Sequence, residues 1–535
     1  MNKSALQDRL SSCLHPTREQ IIRILLTLLV MFIPLIMALI LTVLRGQNLF
    51  FALPDWSDEH WWFAQYAGMS EYGHPLGYFG YTGHHAKFGT WATWGMFPTL
   101  ITGTLSQIFG WGLHSFVYYN FFYLAASSLI FILLTKPSIR NLCMLAVANG
   151  LMYITICYSV ICMNEIVRYS MAIVLSGIMY CLIMVPEVSR FRMILRWTLV
   201  PLLLMYATCF YVILGAFIPI YLMIMLRKWK PIWRLAATTP ISVIAIKLLK
   251  SLNSLTSSPY IPDPYAITFS PPTLKLKILD FFYSLLGNAH NVDPFYLLTQ
   301  ADASNTSAFM LWFCVLLYVL MGFLFWRLIK NAKKPENRDL FSVYLMCLFL
   351  LLCFWGGHIV LYNTTDWTFM RGCNTAVCCV IFLCAMMPKG ESQPWQASTI
   401  VCIVGFFSFI AVFVSVFTTS SRFSTPEQDA QWAQEKAMLE EVLILDTDAE
   451  DPWSNTAVMS GITTEMYCRL PYGVGINSAV PDVINENARY VIIGDNYSNE
   501  AERQADIDVL LENNHTIIRE FDFCTVLENQ AHSFK

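Results

Sequence analysis

Residues 21 to 44 read IIRILLTLLVMFIPLIMALILTVL, a run in which Arg23 is the one charged residue. The hydrocarbon core of a membrane is about 30 Å thick, and a helix needs roughly 20 apolar residues to cross it with every backbone polar group paired internally. The run meets that length, and it is too long for the core of a signal peptide. We therefore predict an uncleaved first transmembrane helix here.

The remaining sequence has the same apolar character. Hydrophobic residues make up 56% of the 535 positions and charged residues 13%, and the mean hydropathy is +0.50. A water-soluble chain of this composition could not cover its own surface with polar groups. We predict an all-α polytopic membrane protein with about eleven transmembrane helices. These spans are predicted near 21–44, 113–135, 141–162, 170–186, a pair within 198–226, 232–249, 309–329, 340–362, 373–388 and 396–418.

The stretch 198–226 admits two interpretations, either one tilted span or a hairpin of two short helices. The hairpin places 19 of the 34 Lys and Arg residues in short loops on one side, whereas a single span divides them. The positive-inside rule assigns such a basic side to the cytoplasm. We therefore favour the hairpin, with a cytoplasmic N-terminus at 1–20 and a transmembrane domain at 21–420.

The last part of the chain differs in charge and pattern from the rest. Residues 425–535 carry 6 basic and 21 acidic side chains, against 28 and 16 in residues 1–424. Apparent strands, such as Tyr490 to Ile493 and Thr516 to Phe521, alternate with the helical patterns 427–443 and 499–512. We predict that residues 421–535 form a small soluble acidic α/β domain on the extracytoplasmic side. The charge balance of the chain as a whole suggests no nucleic-acid partner. A bacterial plasma membrane is the expected location.

Two large outer loops follow from this topology, at 45–112 and 250–308. Residues 94–110 of the first loop are apolar, but Pro98 and Gly103 interrupt them. A short interrupted stretch of this kind suits a helix lying in the membrane interface. If it crossed the membrane instead, every later loop would change sides.

An acidic cluster opens the first outer loop. Asp55, Asp58 and Glu59 lie within five residues directly after the first span. A carboxylate there can accept a proton from a hydroxyl, as general-base glycosyl transfer requires, and it can also bind a divalent cation. The plainer alternative is a solvated loop in which Trp61 and Trp62 belong to the interfacial aromatic belt.

Other charged groups are predicted to lie at the same membrane surface. His85 and Lys87 stand later in the first loop, where such side chains can hold a phosphate by charge-assisted hydrogen bonds. Glu165 and Arg168 follow the third span, and Arg371 lies at the outer end of another span. The plainer interpretation of these acids and arginines is pairing in interfacial salt bridges. Because all of these groups are predicted to face the same side of the membrane, we favour a functional role over simple salt bridges.

The order of these features resembles the GT-C superfamily of polyprenyl-phosphate-sugar glycosyltransferases, such as protein O-mannosyltransferases and aminoarabinose transferases. In that family an Asp-Glu dipeptide in the first outer loop supplies the catalytic base. Asp58-Glu59 matches the dipeptide, so the resemblance implies Asp58 as the base, with Asp55 in reserve. The resemblance covers roughly residues 20 to 420 by architecture.

The same resemblance suggests further site residues. Many relatives carry a Lys-Pro-Pro-Leu element whose lysine contacts the carrier phosphate; His85-Ala86-Lys87-Phe88 takes its place here without the prolines, so Lys87 and His85 would bind donor phosphate. Glu165 corresponds to the second acidic residue of the family, with Arg168 beside it. Arg371 corresponds to an arginine that some members use on the lipid phosphate.

These features together predict a hexosyl- or pentosyltransferase that moves a sugar from a polyprenyl-phosphate donor to a glycan, lipid or protein acceptor. A divalent cation, Mg²⁺ or Mn²⁺, would be held by Asp58 and Glu165, but cationic side chains could make it dispensable. Two alternatives remain open, a transporter or flippase and a non-catalytic GT-C-like scaffold. A transporter is expected to carry acids in mid-span and paired repeats, and the spans here are almost free of charge.

Overall fold

The computed structural model describes two main regions, one at each end of the chain. The described residues are 17–44, 46–54, 59, 62–63, 66–67, 69–70, 77–79, 84–86, 97–150, 153–162, 165–184, 190–191, 193–195, 275, 326, 382, 385–386, 422–443, 457–460, 468–470, 474–477, 488–495, 497 and 499–531. The predicted spans between 198 and 362 and at 396–418, and the outer loop 250–308, lie outside the described residues apart from isolated positions.

The N-terminal region is helical, with one small hairpin. Its elements are α1 (Arg18–Leu44), β1 (Gly77–Phe79), β2 (His84–Ala86), α2 (Phe97–Phe109), α3 (Ser115–Thr135), α4 (Ile139–Gly150), α5 (Tyr153–Tyr158) and α6 (Glu165–Met184). In the described part of the chain, three helices are long and apolar enough to cross a membrane, Arg18–Leu44, Ser115–Thr135 and Glu165–Leu182. They coincide with the first, second and fourth predicted spans, and α4 and α5 occupy the third.

The outward faces of these helices are apolar. Leu25 and Val43 of α1 and Phe122 and Leu133 of α3 are among the exposed large hydrophobic side chains. Exposed apolar surface of this extent on long helices is explained by contact with lipid. Together with the helix lengths, this surface makes the chain an integral membrane protein.

The helices pack through close backbone contacts and a few polar bonds. α1 packs on α4, and α3 packs on α6. The Asn149 side chain of α4 donates to the Val30 carbonyl of α1 at 2.7 Å and to the Ser128 hydroxyl of α3 at 3.2 Å. Because all three groups are buried, these bonds fix the relative positions of three helices. Phe382, from the predicted span 373–388, packs edge-on against Phe131 of α3 at 5.1 Å.

α2 falls within the stretch predicted to lie in the membrane interface. Its 13 residues extend about 20 Å at 1.5 Å per residue, short of the roughly 30 Å hydrocarbon core. Thr102 and Ser106 are buried on one side, whereas Ile108 and Phe109 are exposed. The helix therefore has the length and the two-sided character of an interfacial helix.

The C-terminal region contains a five-stranded sheet with helices. The elements are α7 (Pro426–Val442), β3 (Ala457–Ser460), β4 (Val474–Asn477), β5 (Tyr490–Gly494), α8 (Glu500–Glu512), β6 (His515–Phe521) and β7 (Cys524–Asn529). The strand order is β4-β3-β5-β7-β6. The β3 strand pairs in parallel with β4 and β5, and β7 pairs antiparallel with β5 and β6.

One face of this sheet packs on α7. Leu439 and Leu443 lie in one hydrophobic cluster with Tyr490, Ile492 and Val526 of the central strands. α7 begins with a capping box in which the Thr425 hydroxyl accepts from the Gln428 N–H, with Pro426 at the first helical position. The cap sets where the chain leaves the membrane region and enters the sheet unit. At the edge of the sheet, β4 lies against β1 of the first outer loop.

Candidate functional site

A buried ion pair lies at the last residue of the predicted acidic cluster, Glu59. Glu59 is 0% exposed and Arg422 is 1% exposed. The Arg422 guanidinium donates from Nη1 to Glu59 Oε1 at 2.9 Å and from Nη2 to Oε2 at 2.9 Å. This two-pronged geometry is the strong form of an arginine–carboxylate contact. It joins the first outer loop to a residue 363 positions later in the chain.

The end of the third predicted span completes this ion-pair site. The Cys162 N–H donates to Glu59 Oε1 at 2.6 Å, and Arg422 Nη1 also donates to the Val160 carbonyl at 3.2 Å. Three segments distant in sequence therefore meet at one point. A buried charge pair is tolerated when further hydrogen bonds satisfy its remaining atoms, and the backbone of 160–162 supplies two of them.

Backbone pairing continues the contact between the first loop and the C-terminal entry segment. Ala52 and Phe423 form an antiparallel bridge. The Leu53 N–H donates to the Arg422 carbonyl at 2.8 Å, and the Ser424 N–H donates to the Phe51 carbonyl at 2.9 Å. The entry segment, residues 422–429, is thus bonded to the loop that carries the acids.

A histidine adds a second polar link to the entry segment. The His114 ring, at the start of α3, lies with Nδ1 2.8 Å from the Ala52 carbonyl and Nε2 2.8 Å from Asp429 Oδ2. Both partners are acceptors, so a ring with a hydrogen on each nitrogen satisfies both. The link joins the first loop, α3 and α7.

The second predicted acid lies near the first. Glu165 and Arg168 are both buried at the start of α6, with Arg168 Nη1 3.6 Å from Glu165 Oε1. Burial raises the pKa of Tyr66 well above its usual value, with Cys162, Tyr123 and Glu165 as further causes and Thr102 opposing them. Cys162, whose N–H bonds to Glu59, and Glu165 therefore both lie in the surroundings of Tyr66.

Aromatic side chains support the loop segment behind the acids. Trp111 contacts Phe63 and Tyr66, with ring centroids 5.4 and 5.0 Å apart, and it stacks on Tyr119 at 5.7 Å. Aromatic pairs of this geometry add stability beyond their buried area. Phe63 and Tyr66 are thereby held against Trp111 and the start of α3.

Most of the other predicted site residues lie outside the part of the chain that the structure describes. Asp55, Asp58, Lys87 and Arg371 lie outside the described residues. His85 is in β2, opposite Tyr78 of β1 in an antiparallel hairpin, and its side chain is not described. The structure thus places Glu59 against the backbone of Cys162, three residues before Glu165, and the other assignments stay predictions.

A divalent cation finds no ready cluster of ligands in the part of the chain that the structure describes. Within those residues, no group of three or more His, Cys, Asp or Glu side chains could hold a metal ion. Both oxygens of Glu59 accept from Arg422, and Glu165 faces Arg168. The Glu59 carboxylate is therefore occupied by a guanidinium rather than open to a metal ion.

Arg422 is the site residue that sequence reasoning missed. It stands four positions beyond the last predicted span, on the side assigned to the outside. The positive-inside rule places most arginines on the cytoplasmic side. An arginine on the outer side was therefore the sequence signal that could have identified Arg422 as a site residue.

Known structures share the fold of this chain, but the sequence comparisons found no relative. No protein-family model matches the chain, and no curated protein matches it either. The crystal structure of ArnT from Cupriavidus metallidurans bound to undecaprenyl phosphate is similar, with a TM-score of 0.51 and 10% identity, over 94% of this chain and 98% of that one. The apo oligosaccharyltransferase of Archaeoglobus fulgidus is similar over 88% of this chain and 69% of that one, with a TM-score of 0.50 and 11% identity. This chain is therefore a polytopic membrane protein with a GT-C-like fold, as the order of its sequence features predicts.

Proposed function

We propose that the protein is a membrane glycosyltransferase that moves a hexosyl or pentosyl group from a polyprenyl-phosphate donor to a hydroxyl acceptor on the extracytoplasmic side. The observation that carries this proposal is that Glu59 of the first outer loop bonds both to Arg422 of the entry segment and to the Cys162 backbone just before Glu165. The similar fold of ArnT, whose structure holds undecaprenyl phosphate, supports the class of donor.

The proposed reaction is a displacement at the anomeric carbon of the sugar. Asp58 takes the proton of the acceptor hydroxyl, and the acceptor oxygen forms a bond to the anomeric carbon. The bond from that carbon to the phosphate oxygen breaks, and polyprenyl phosphate leaves with the electron pair. Lys87, Arg371 and His85 neutralise the leaving phosphate, which would make a divalent cation dispensable.

Asp58 is favoured over Glu59 as the base. Both Glu59 oxygens accept hydrogen bonds from the buried Arg422 guanidinium. An acceptor hydroxyl in its place would leave the buried Arg422 charge without a partner. Asp58 precedes Glu59 by one residue and is therefore carried by the same anchored backbone. Asp55 is the reserve candidate.

The contact between 51–53 and 422–424 supports the predicted topology. These segments begin the first outer loop and the C-terminal domain, so they must lie on the same side of the membrane. That requires an even number of spans between them, and the eleven-span topology gives ten. If 198–226 alone were a single span, or 94–110 alone crossed the membrane, the number would be odd.

Single cysteines at His85, Lys230 and Val480 test this topology in a background that lacks accessible native thiols. We expect an impermeant reagent added from outside to label positions 85 and 480 in intact cells, and position 230 only after permeabilisation. Labelling of 85 and 480 from opposite sides would contradict the assignment of the two regions to one compartment.

The function is tested with protein purified in detergent and a panel of labelled polyprenyl-phosphate sugars. We expect Asp58→Asn to lower sugar transfer by roughly 10²- to 10⁴-fold, the contribution usual for a general base. Asp508→Asn is the matched control, because Asp508 lies on the exposed surface of α8, where it accepts from Gln504. Equal transfer by wild type and Asp58→Asn would show that Asp58 is not the general base. Movement of intact donor between leaflets without sugar transfer would favour the flippase alternative.

A further inference from the structure

We propose that Arg422 is a positioning residue for the transfer reaction and that, through Glu59, it fixes the backbone from which Asp58 acts. This inference rests on the proposed function and adds a residue from the C-terminal entry segment to the site. It also gives Glu59 a different role from that of a base.

The contact geometry favours orientation over simple charge neutralisation. The guanidinium approaches both carboxylate oxygens at 2.9 Å, so it restricts rotation of the Glu59 side chain as well as its position. A lysine ammonium is a point charge and could not reproduce this two-pronged contact. The Val160 carbonyl and the Cys162 N–H hold the same pair from a third direction.

The anchored residue is adjacent to the proposed base. One peptide unit separates Asp58 from Glu59, and Leu53 on the other side is bonded to the Arg422 carbonyl. The same arginine therefore bonds on both sides of residues 55–58, through its side chain to Glu59 and through its backbone carbonyl to Leu53. A displacement of about 1 Å at a reacting group can lower a rate on the order of 100-fold.

Stability and positioning can be separated by a pair of variants. Arg422→Met leaves the Glu59 charge buried without its guanidinium, which destabilises the protein. In Glu59→Gln/Arg422→Met the buried charge is also removed, and the fold recovers stability. Neither variant restores the two-pronged contact, so a positioning role predicts slow transfer in both.

A matched control is available in the C-terminal sheet unit. Arg469 is buried, pairs with Glu435 and lies over the Phe523 ring at 5.4 Å. Arg469→Met therefore breaks a comparable arginine–glutamate pair at a place where no proposed catalytic residue lies.

The experiment measures kcat and the KM for donor on monodisperse protein, together with amide hydrogen exchange. We expect Arg422→Met and the double variant to lose kcat about 100-fold with donor KM changed little, and Arg422→Lys to lose less. Exchange should rise in 51–54 and 159–162 and stay unchanged in β5. Arg469→Met should keep the wild-type kcat.

Two results would overturn the inference. The first is recovery of kcat in the double variant along with its stability, which would make the pair structural only. The second is unchanged exchange at 51–54 and 159–162 in Arg422→Met. If wild-type protein transfers no sugar from any donor, the proposed function fails, and hydrogen exchange still decides whether Arg422 fixes the acidic stretch.

Discussion

Gly103 of α2 lies against the loop segment that follows the acids, and Gly103→Ala tests how tightly the two are packed. A Cβ atom at this position would lie 2.7 Å from Met69 Cε, 2.8 Å from Met69 Cγ and 3.0 Å from Met69 Cβ. Unstrained carbon contacts are about 3.5 to 4.0 Å. The two outer atoms of Met69 can rotate away, but its Cβ moves only with the Met69 backbone.

The expected magnitude follows from two opposing effects. Overpacking of a filled interior costs about 1 to 3 kcal/mol, and replacing glycine by alanine within a helix contributes about 1 kcal/mol of stability. In a Met69→Ala background the two closest atoms are absent, while the helix contribution is the same. The difference between the two backgrounds therefore isolates the clash, and we expect Gly103→Ala to be more favourable by about 1 to 3 kcal/mol when Met69 is alanine.

The assay is equilibrium unfolding of the detergent-solubilised protein with increasing SDS, followed by tryptophan fluorescence, for the four members of this double-mutant cycle. Gly112→Ala is the control, because a Cβ there would lie 3.7 Å from Ser115 Oγ, an ordinary contact. It should show no coupling to Met69. If Gly103→Ala has the same effect in both backgrounds to within about 0.5 kcal/mol, α2 does not press on the acidic loop and the packing argument is wrong.

Two further predictions concern buried polar groups. Asn120→Asp should lower the free energy of unfolding by at least about 2 kcal/mol, because the amide nitrogen donates to the carbonyls of Ser159 and Ile161, each at 3.0 Å, and a carboxylate cannot; unfolding in the same SDS assay measures this. His515 gives a pH dependence: burial lowers its pKa from 6.5, and the bonds to backbone carbonyls only partly oppose this. The neutral ring is therefore favoured in the folded state, and the stability that it contributes is complete above pH 6.5 and is lost as the pH falls below that value through the folded-state pKa. The thermal midpoint of the wild type should drop between pH 7.5 and 5.5 more than that of His515→Gln, and equal drops would contradict this account.

The sequence predicts the elements whose pattern is local. A run of apolar residues fixes α1 and α3, because the length of a span is set by the membrane and not by distant neighbours. The strand at Tyr490–Gly494 likewise follows from its own short apolar, β-branched run. The family resemblance located the acids, since an Asp-Glu pair after a first span is a short-range feature.

The pairings within the site could not be predicted in this way. Glu59 and Arg422 are separated by 363 positions, and His114 and Asp429 by 315. Neither pair leaves a periodic signal, and a single sequence shows no covariation. Charge counting also hides Arg422, because it is one of 28 basic residues in residues 1–424.

The ion pair is compatible with different roles for the two adjacent acids in the proposed reaction. Two carboxylates next to each other in a buried site repel, and the cheapest relief is protonation of one of them, which would weaken a base. Arg422 neutralises Glu59 by direct contact, so the charge of a neighbouring Asp58 is not opposed by a second bare carboxylate. The residue that removes this repulsion belongs to the segment entering the C-terminal domain, so the acidic stretch acquires its electrostatic environment only when the two ends of the chain have come together. A transmembrane region expressed without residues 422–535 should therefore keep its helices but lack the arrangement that transfer requires.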